Sequence, residues 1–111
     1  MLHLTQDTKI YLAIEPVDFR KQIDGLIALC RSTLSFDSRS GQLFIFINRS
    51  RTMIRVLCYE ENGYWLATKR LSQGRYALWP KGGDGRMSQM ISAPELKRLL
   101  KTGVASRIRL H

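Results

Sequence analysis

The sequence predicts an α+β fold: an antiparallel β-meander of about five strands packed against one main helix, with a short C-terminal helix. Three observations carry that expectation. Residues 42–80 hold several runs rich in β-branched and aromatic residues, each bounded by a turn signal. Phe19, Ile23, Leu26, Ile27, Cys30 and Leu34 recur at helical spacing and make one apolar stripe. Ser92 and Glu95 have the spacing of a capping box just ahead of a Leu-rich segment. A chain of 111 residues fits one domain spanning 1–111. It has no evident internal repeat, linker or low-complexity stretch.

In chain order, residues 10–14 read as a short apolar strand, closed by Glu15-Pro16 because proline removes a ladder donor. The main helix follows, with Asp18 as its expected N-cap. Gly25 lies inside it and costs helix stability. Close packing against a neighbouring element would explain its presence. Residues 37–41 form a polar loop.

Strands are then expected at 42–48, 52–60, 64–71 and 75–80. The turns between them are 48–51, 61–63 and 72–74. Asn62-Gly63 is the strongest hairpin signal, since both residue types tolerate positive φ. Residues 81–86 are Gly-rich and loop-like, and 87–91 could add a strand. The last helix opens at Ser92, with Pro94 in its first turn. Leu96, Leu99 and Leu100 are expected inside, Lys97, Arg98 and Lys101 outside, and Gly103 stops it. The tail, 107–111, would be a frayed edge strand.

Charge is the most informative part of the composition. Eighteen Lys and Arg oppose nine Asp and Glu, giving +9 and suggesting a polyanionic partner. Residues 1–48 carry five cations and five acids, whereas residues 49–111 carry thirteen cations and four acids. The whole excess therefore lies in the second part, which points to a localised surface. In an up-and-down meander the first and third turns share one end of the sheet. Arg49 and Arg51 then join Lys69, Arg70 and Arg75 at a basic end, while Glu60 and Glu61 mark the opposite, acidic end.

Alternation along residues 52–59 puts Ile54, Val56 and Cys58 on one face and Met53, Arg55, Leu57 and Tyr59 on the other. The first face is expected to meet the helix, so that Arg55 points away from the core near the basic end. Arginine there suits phosphate, because its planar fork can donate two bonds to one group. Tyr64, Trp65, Tyr76 and Trp79 lie on the same strands, a mixture that proteins use to follow a nucleic-acid backbone. Trp65 and Trp79 are nonetheless expected as core or edge-covering residues.

Several classes are excluded by pattern. No apolar run approaches the roughly 20 residues of a membrane span, and the first nine residues lack a secretory signal core. Cytoplasmic placement is therefore expected. Cys30 and Cys58 fit no zinc spacing and read as reduced core thiols. Residues 81–85 lack the GK[ST] ending of a phosphate loop. Glu60 and Glu61 read as turn solvation, and His3 and His111 lie at the termini. No catalytic set, metal or cofactor is expected.

The ordered motifs carry a family resemblance. Ile10-Tyr11-Leu12-Ala13 is followed by Asp18-Phe19-Arg20-Lys21 and Ile23-Asp24-Gly25-Leu26. Ser40-Gly41-Gln42-Leu43-Phe44-Ile45-Phe46, Asn48-Arg49 and Ile54-Arg55-Val56-Leu57 come next. Then come Asn62-Gly63-Tyr64-Trp65-Leu66, Lys69-Arg70-Leu71, Gly74-Arg75-Tyr76, Trp79-Pro80 and the helix opened by Pro94. Over about residues 9–100 this resembles the accessory proteins encoded by the second open reading frame of insertion sequence 66 elements. The chain departs from the family pattern at Ala77 and Leu78, where one residue more than usual precedes Trp79-Pro80. It departs also at Gln22, where a small residue is common, and at Ser50, which interrupts the run of cations.

The resemblance implies a part in DNA transposition beside a separate, larger transposase that performs the strand chemistry. Charge and placement, rather than any established family site, nominate Arg20, Lys21, Arg49, Arg51, Arg55, Lys69, Arg70 and Arg75 for nucleic-acid contact. The expected activity is a non-enzymatic accessory factor that binds DNA at element ends. The competing expectation is a protein adaptor that docks on the transposase through the basic surface or a strand edge. A metal-dependent nuclease is the remote third.

Overall fold

A computed structural model describes residues 7–102 other than Ser38 and Ser40. Its elements are β1 (Ile10–Ala13), α1 (Ile23–Ser32), β2 (Leu43–Ile47), β3 (Met53–Glu60), β4 (Gly63–Arg70), β5 (Ser88–Ile91) and α2 (Ala93–Thr102). The fold is α+β, with one five-stranded sheet in the order β4-β3-β2-β1-β5.

The sheet is mixed, which corrects the expected all-antiparallel meander. β1 and β2 are parallel neighbours, with Ile10 beside Leu43 and Leu12 beside Ile45. Parallel neighbours need a long crossover, and α1 lies within it. Every residue of β2 is buried. The continuous apolar run Leu43-Phe44-Ile45-Phe46-Ile47 is what a strand covered on both faces requires. From β2 onward the chain does meander: β2 pairs antiparallel with β3, and β3 with β4.

The expected strand at 75–80 is absent. Tyr76 and Trp79 are buried while Ala77 and Leu78 between them are exposed, a spacing of three that no period-two strand can satisfy. The segment instead crosses one face of the sheet, and the Trp79 indole Nε1 donates to the Ala13 carbonyl at 3.0 Å. The extra residue at Ala77 and Leu78 falls in this crossing, where there is no strand register to disturb. The fifth strand is β5, antiparallel to β1.

Both faces of the sheet are covered. On one, Leu26, Cys30 and Leu34 of the α1 region pack on Ala13, Val17, Phe44, Phe46 and Leu57. On the other, Leu96 and Leu99 of α2 join Tyr76 and Trp79 over Ile10, Leu12, Leu43, Ile45, Ile54, Val56 and Cys58. The Ile54, Val56 and Cys58 face therefore meets α2 and the 76–79 crossing. The main helix lies against the Leu57 face, the reverse of the sequence expectation. Since α1 and α2 each have 10 residues, the C-terminal helix is not the shorter one.

α1 begins at Ile23, with Gln22 at its N-cap, and not at Asp18. The Asp18 carboxylate is engaged by Arg20 instead. Gly25 is crowded by its own neighbourhood: a Cβ there would lie 3.2 Å from the Lys21 Cβ. The capping box of α2 forms as expected. Glu95 N donates to Ser92 Oγ at 3.2 Å, and Ser92 N donates to Glu95 Oε1 at 2.9 Å. Gly103 and the expected strand at 107–111 lie outside the described residues. Among those residues no helix is long and apolar enough to cross a membrane.

Candidate nucleic-acid interface

The basic end is organised by one side chain. Asn48 ends β2, and its Oδ1 accepts from Thr52 N at 2.9 Å and Met53 N at 3.0 Å. Its Nδ2 donates to Ser50 Oγ and Thr52 Oγ1, both at 3.1 Å. Asparagine suits this place because its short amide can satisfy the turn's backbone groups and donate at the same time. Arg51 takes a left-handed backbone with φ 63°. That conformation is held from both sides, since Arg51 N donates to Asn48 O at 3.1 Å and Arg51 O accepts from Tyr76 N at 2.8 Å.

The last of these bonds ties two basic segments together. Leu71 N also donates to Thr52 O at 2.9 Å, continuing the β3–β4 ladder past Met53 beside Arg70. Arg49, Arg51, Lys69, Arg70 and Arg75 therefore gather at one end of the sheet, as the turn order implies, even though the fourth meander strand is missing. Arg49, Lys69, Arg70 and Arg75 are exposed and Arg51 is half-buried. None of the five is in an ion pair among the described residues. Lys69 Nζ donates to the Leu100 carbonyl in the last turn of α2, where a cation is favoured by the helix dipole.

Arg20, Lys21 and Arg55 approach from the α1 face. Val17, Asp18, Phe19, Arg20, Asn48, Arg49, Ser50, Met53 and Arg55 line a shallow groove of about 520 Å³. Within the 17–20 segment of that lining, Arg20 is paired with Asp18, Nη2 to Oδ2 at 2.7 Å. The hydrogen bonds from Arg20 hold the Asp18 carboxyl down at about 2, so it stays a carboxylate at any ordinary pH. Lys21 is exposed, and its backbone N–H donates to Asp18 O at 3.0 Å.

Arg55 does not point away from the core. Its Nη1 donates to the carbonyls of Phe19, at 2.9 Å, and Lys21, at 3.0 Å. Its Nε donates to Thr68 Oγ1 at 3.2 Å. The guanidinium also sits 4.6 Å from the centroid of the Phe19 ring. Arg55 thus fastens the segment before α1 to the sheet and positions Arg20 and Lys21. The two faces of β3 alternate as expected, but α1 covers the one that carries Leu57 and Arg55, not the one that carries Ile54, Val56 and Cys58.

The opposite end is much simpler. Glu60 pairs with Gly63, and Glu61 and Asn62 alone make the turn, with φ 52° and 68°. The turn is thus one residue earlier than Asn62-Gly63 suggested. Trp79 and Tyr76 belong to the core, while Trp65 on β4 is 47% exposed. Both cysteines are free and buried. Burial pushes the Cys30 thiol up to about 12 and raises that of Cys58, the latter helped by Glu60. Among the described residues no three His, Cys, Asp or Glu side chains are placed to hold a metal ion.

Asn48 is the residue that charge-based reading undervalued. Its signal was an Asn at a strand end followed by Ser50 and Thr52, a composition that favours a side-chain-organised turn.

Comparison with known proteins fits this arrangement to a family. An uncharacterized protein of Sinorhizobium fredii, y4jC, is 32% identical over 104 residues, covering 94% of this chain and 86% of that protein. A second from the same organism, y4hO, is 31% identical over 100 residues, covering 90% and 84%. No solved structure matches. Residues 8–109 match the family described as IS66 Orf2 like protein. That range takes in every strand and helix above, so the chain belongs to the IS66 Orf2-like family, accessory proteins associated with transposition.

Proposed function

We propose that this chain is a non-enzymatic accessory factor that binds DNA through the basic end of its sheet and so assists a separate transposase. The observation that carries the reading is the bracing of cations that are in no ion pair among the described residues. Arg49, Arg51, Arg70 and Arg75 are displayed on two segments that Asn48 and the Tyr76 N–H to Arg51 carbonyl bond tie together. Gathering like charges costs self-repulsion, which a polyanion would relieve. Phosphate contacts of this kind position a protein on DNA and carry little sequence information. Arg20 and Lys21 would extend the track along the α1 face, with Arg55 holding them in place. Element ends are the DNA expected from the family's role.

The test is binding to duplex DNA over a salt series. If the five cations Arg49, Arg51, Lys69, Arg70 and Arg75 each neutralise one phosphate, the log–log slope should be about −4.5. Replacing all five by Ala should abolish binding while the thermal melt keeps its cooperativity. A flat salt dependence, or a five-fold variant that binds normally, sinks the proposal. If DNA is not bound but the transposase is retained in a pull-down under nuclease, the basic end docks on an acidic protein surface instead.

A further inference from the structure

β4 is the outermost strand of the sheet, and at eight residues it is twice as long as β5 at the other edge. Its neighbour on one side is β3, and among the described residues no strand lies on the other. The hairpin geometry fixes which backbone groups face outward. In a two-residue turn the flanking pair, Glu60 and Gly63, is the one that exchanges ladder bonds. The bonded set therefore continues through Trp65, Ala67 and Lys69, and the N–H and C=O groups of Leu66, Thr68 and Arg70 point out of the sheet. A long edge of this kind is a template for another strand.

We infer that this edge pairs with β4 of a second copy, antiparallel about a two-fold axis perpendicular to the sheet, with Ala67 opposite the same residue of its mate. Charge selects a second copy as the occupant. β4 runs from the Glu60-Glu61 turn to the Lys69-Arg70 end. Antiparallel pairing sets the acidic turn of each copy beside the basic end of the other and keeps the two basic ends apart. Side chains agree with that register. It puts Leu66 opposite Thr68 as bonded partners, so outward groups meet outward groups. Trp65, half-exposed, comes opposite Lys69 of the mate, whose ammonium would exchange the Leu100 carbonyl for the indole face. Ala67 is exposed and small enough for close approach on the axis. The two sheets would then join into one of ten strands. Arg49, Arg51 and Arg75 lie on loops beyond the strand ends, outside the seam. Lys69 and Arg70 lie in the seam and are also two of the five cations assigned to DNA, so the pairing is tested on the protein alone, without DNA.

The test uses the full-length chain. Sedimentation equilibrium should show mass doubling with concentration. Ala67→Cys should form an intermolecular disulfide on mild oxidation, since residues opposite each other in a non-bonded pair have the Cα separation a disulfide needs. Met90→Cys on the β5 edge is exposed in the same way and should not cross-link. Ala67→Lys sets two cations directly opposite and should weaken association about fivefold, with the melting temperature unchanged at concentrations where the parent is monomeric. A monomer at every concentration overturns the inference, whether the edge is then covered by residues 103–111 or left bare. A dimer that Ala67→Lys leaves intact, or cross-linking through Met90→Cys in place of Ala67→Cys, overturns it equally.

Discussion

At one end of the β3–β4 hairpin, the side chain of Asn48 takes part in four hydrogen bonds and a backbone bond reaches across to Tyr76. At the other end, Glu61 and Asn62 turn the chain alone. The two ends differ in what they hold in place. The bare end closes a ladder, and any pair of residues that tolerates positive φ could do that. The braced end fixes the backbone from which Arg49, Arg51 and Arg75 project, which closing a strand does not require. Local order spent on displaying charge marks a recognition surface better than charge density does, because a solvated rim needs cations but no bracing.

Removing the brace is the strongest way to break that comparison. Asn48→Ala leaves the N–H groups of Thr52 and Met53 without their acceptor. Both are partly buried, so the loss should be about 2–3 kcal/mol, read as a lower midpoint in urea. The variant keeps every cation. If the bracing serves recognition, its DNA affinity measured well below the unfolding midpoint should fall severalfold. If affinity is unchanged, the turn's order has nothing to do with binding.

Arg55→Met separates a fastener from a contact. Losing its bonds to the Phe19 and Lys21 carbonyls and its place over the Phe19 ring should cost about 1–2 kcal/mol at this half-buried site. The salt slope of DNA binding should stay the same. An arginine that neutralised a phosphate would reduce the slope by about 0.9 when removed. A drop of that size would return Arg55 to the contact residues, where charge alone had placed it.

How much of this was legible in the sequence follows from which interactions are local. The α2 capping box and the hairpin between β3 and β4 depend on neighbours in the chain and could be read there. Arg49 meets Arg70 through that hairpin, while Arg75 is held by the Tyr76 N–H to Arg51 carbonyl bond and not by the strand expected for it. The pairing of β1 with β2 depends on residues more than thirty positions apart, such as Ile10 and Leu43. Its one local trace is the unbroken apolar run of β2, which fits a buried parallel strand as well as a meander strand. The segment at 75–80 has strand-like composition, but its buried residues are three apart, and period decides over propensity. The error over Arg55 came from the same source. A strand's alternation sorts residues into two faces without saying which face a distant helix covers.

The smallest expected effect comes from the bare end. Glu61 holds φ 52°, a region that costs most L-residues energy but that Asn and Gly enter readily. Glu61→Asn should therefore stabilise the protein by about 0.5–1 kcal/mol, seen as a rise in melting temperature. It also removes a negative charge, a change that net charge alone would turn into tighter DNA binding. Distance argues otherwise. Eight residues of strand at about 3.3 Å each separate this turn from the basic end. That is about three Debye lengths at physiological salt. Affinity measured at protein concentrations too low for self-association should then stay within about twofold of the parent, since at that separation the charge is screened. A clear gain in affinity together with the gain in stability would mean that the two ends are electrically coupled, and that the acidic turn is part of the recognition surface.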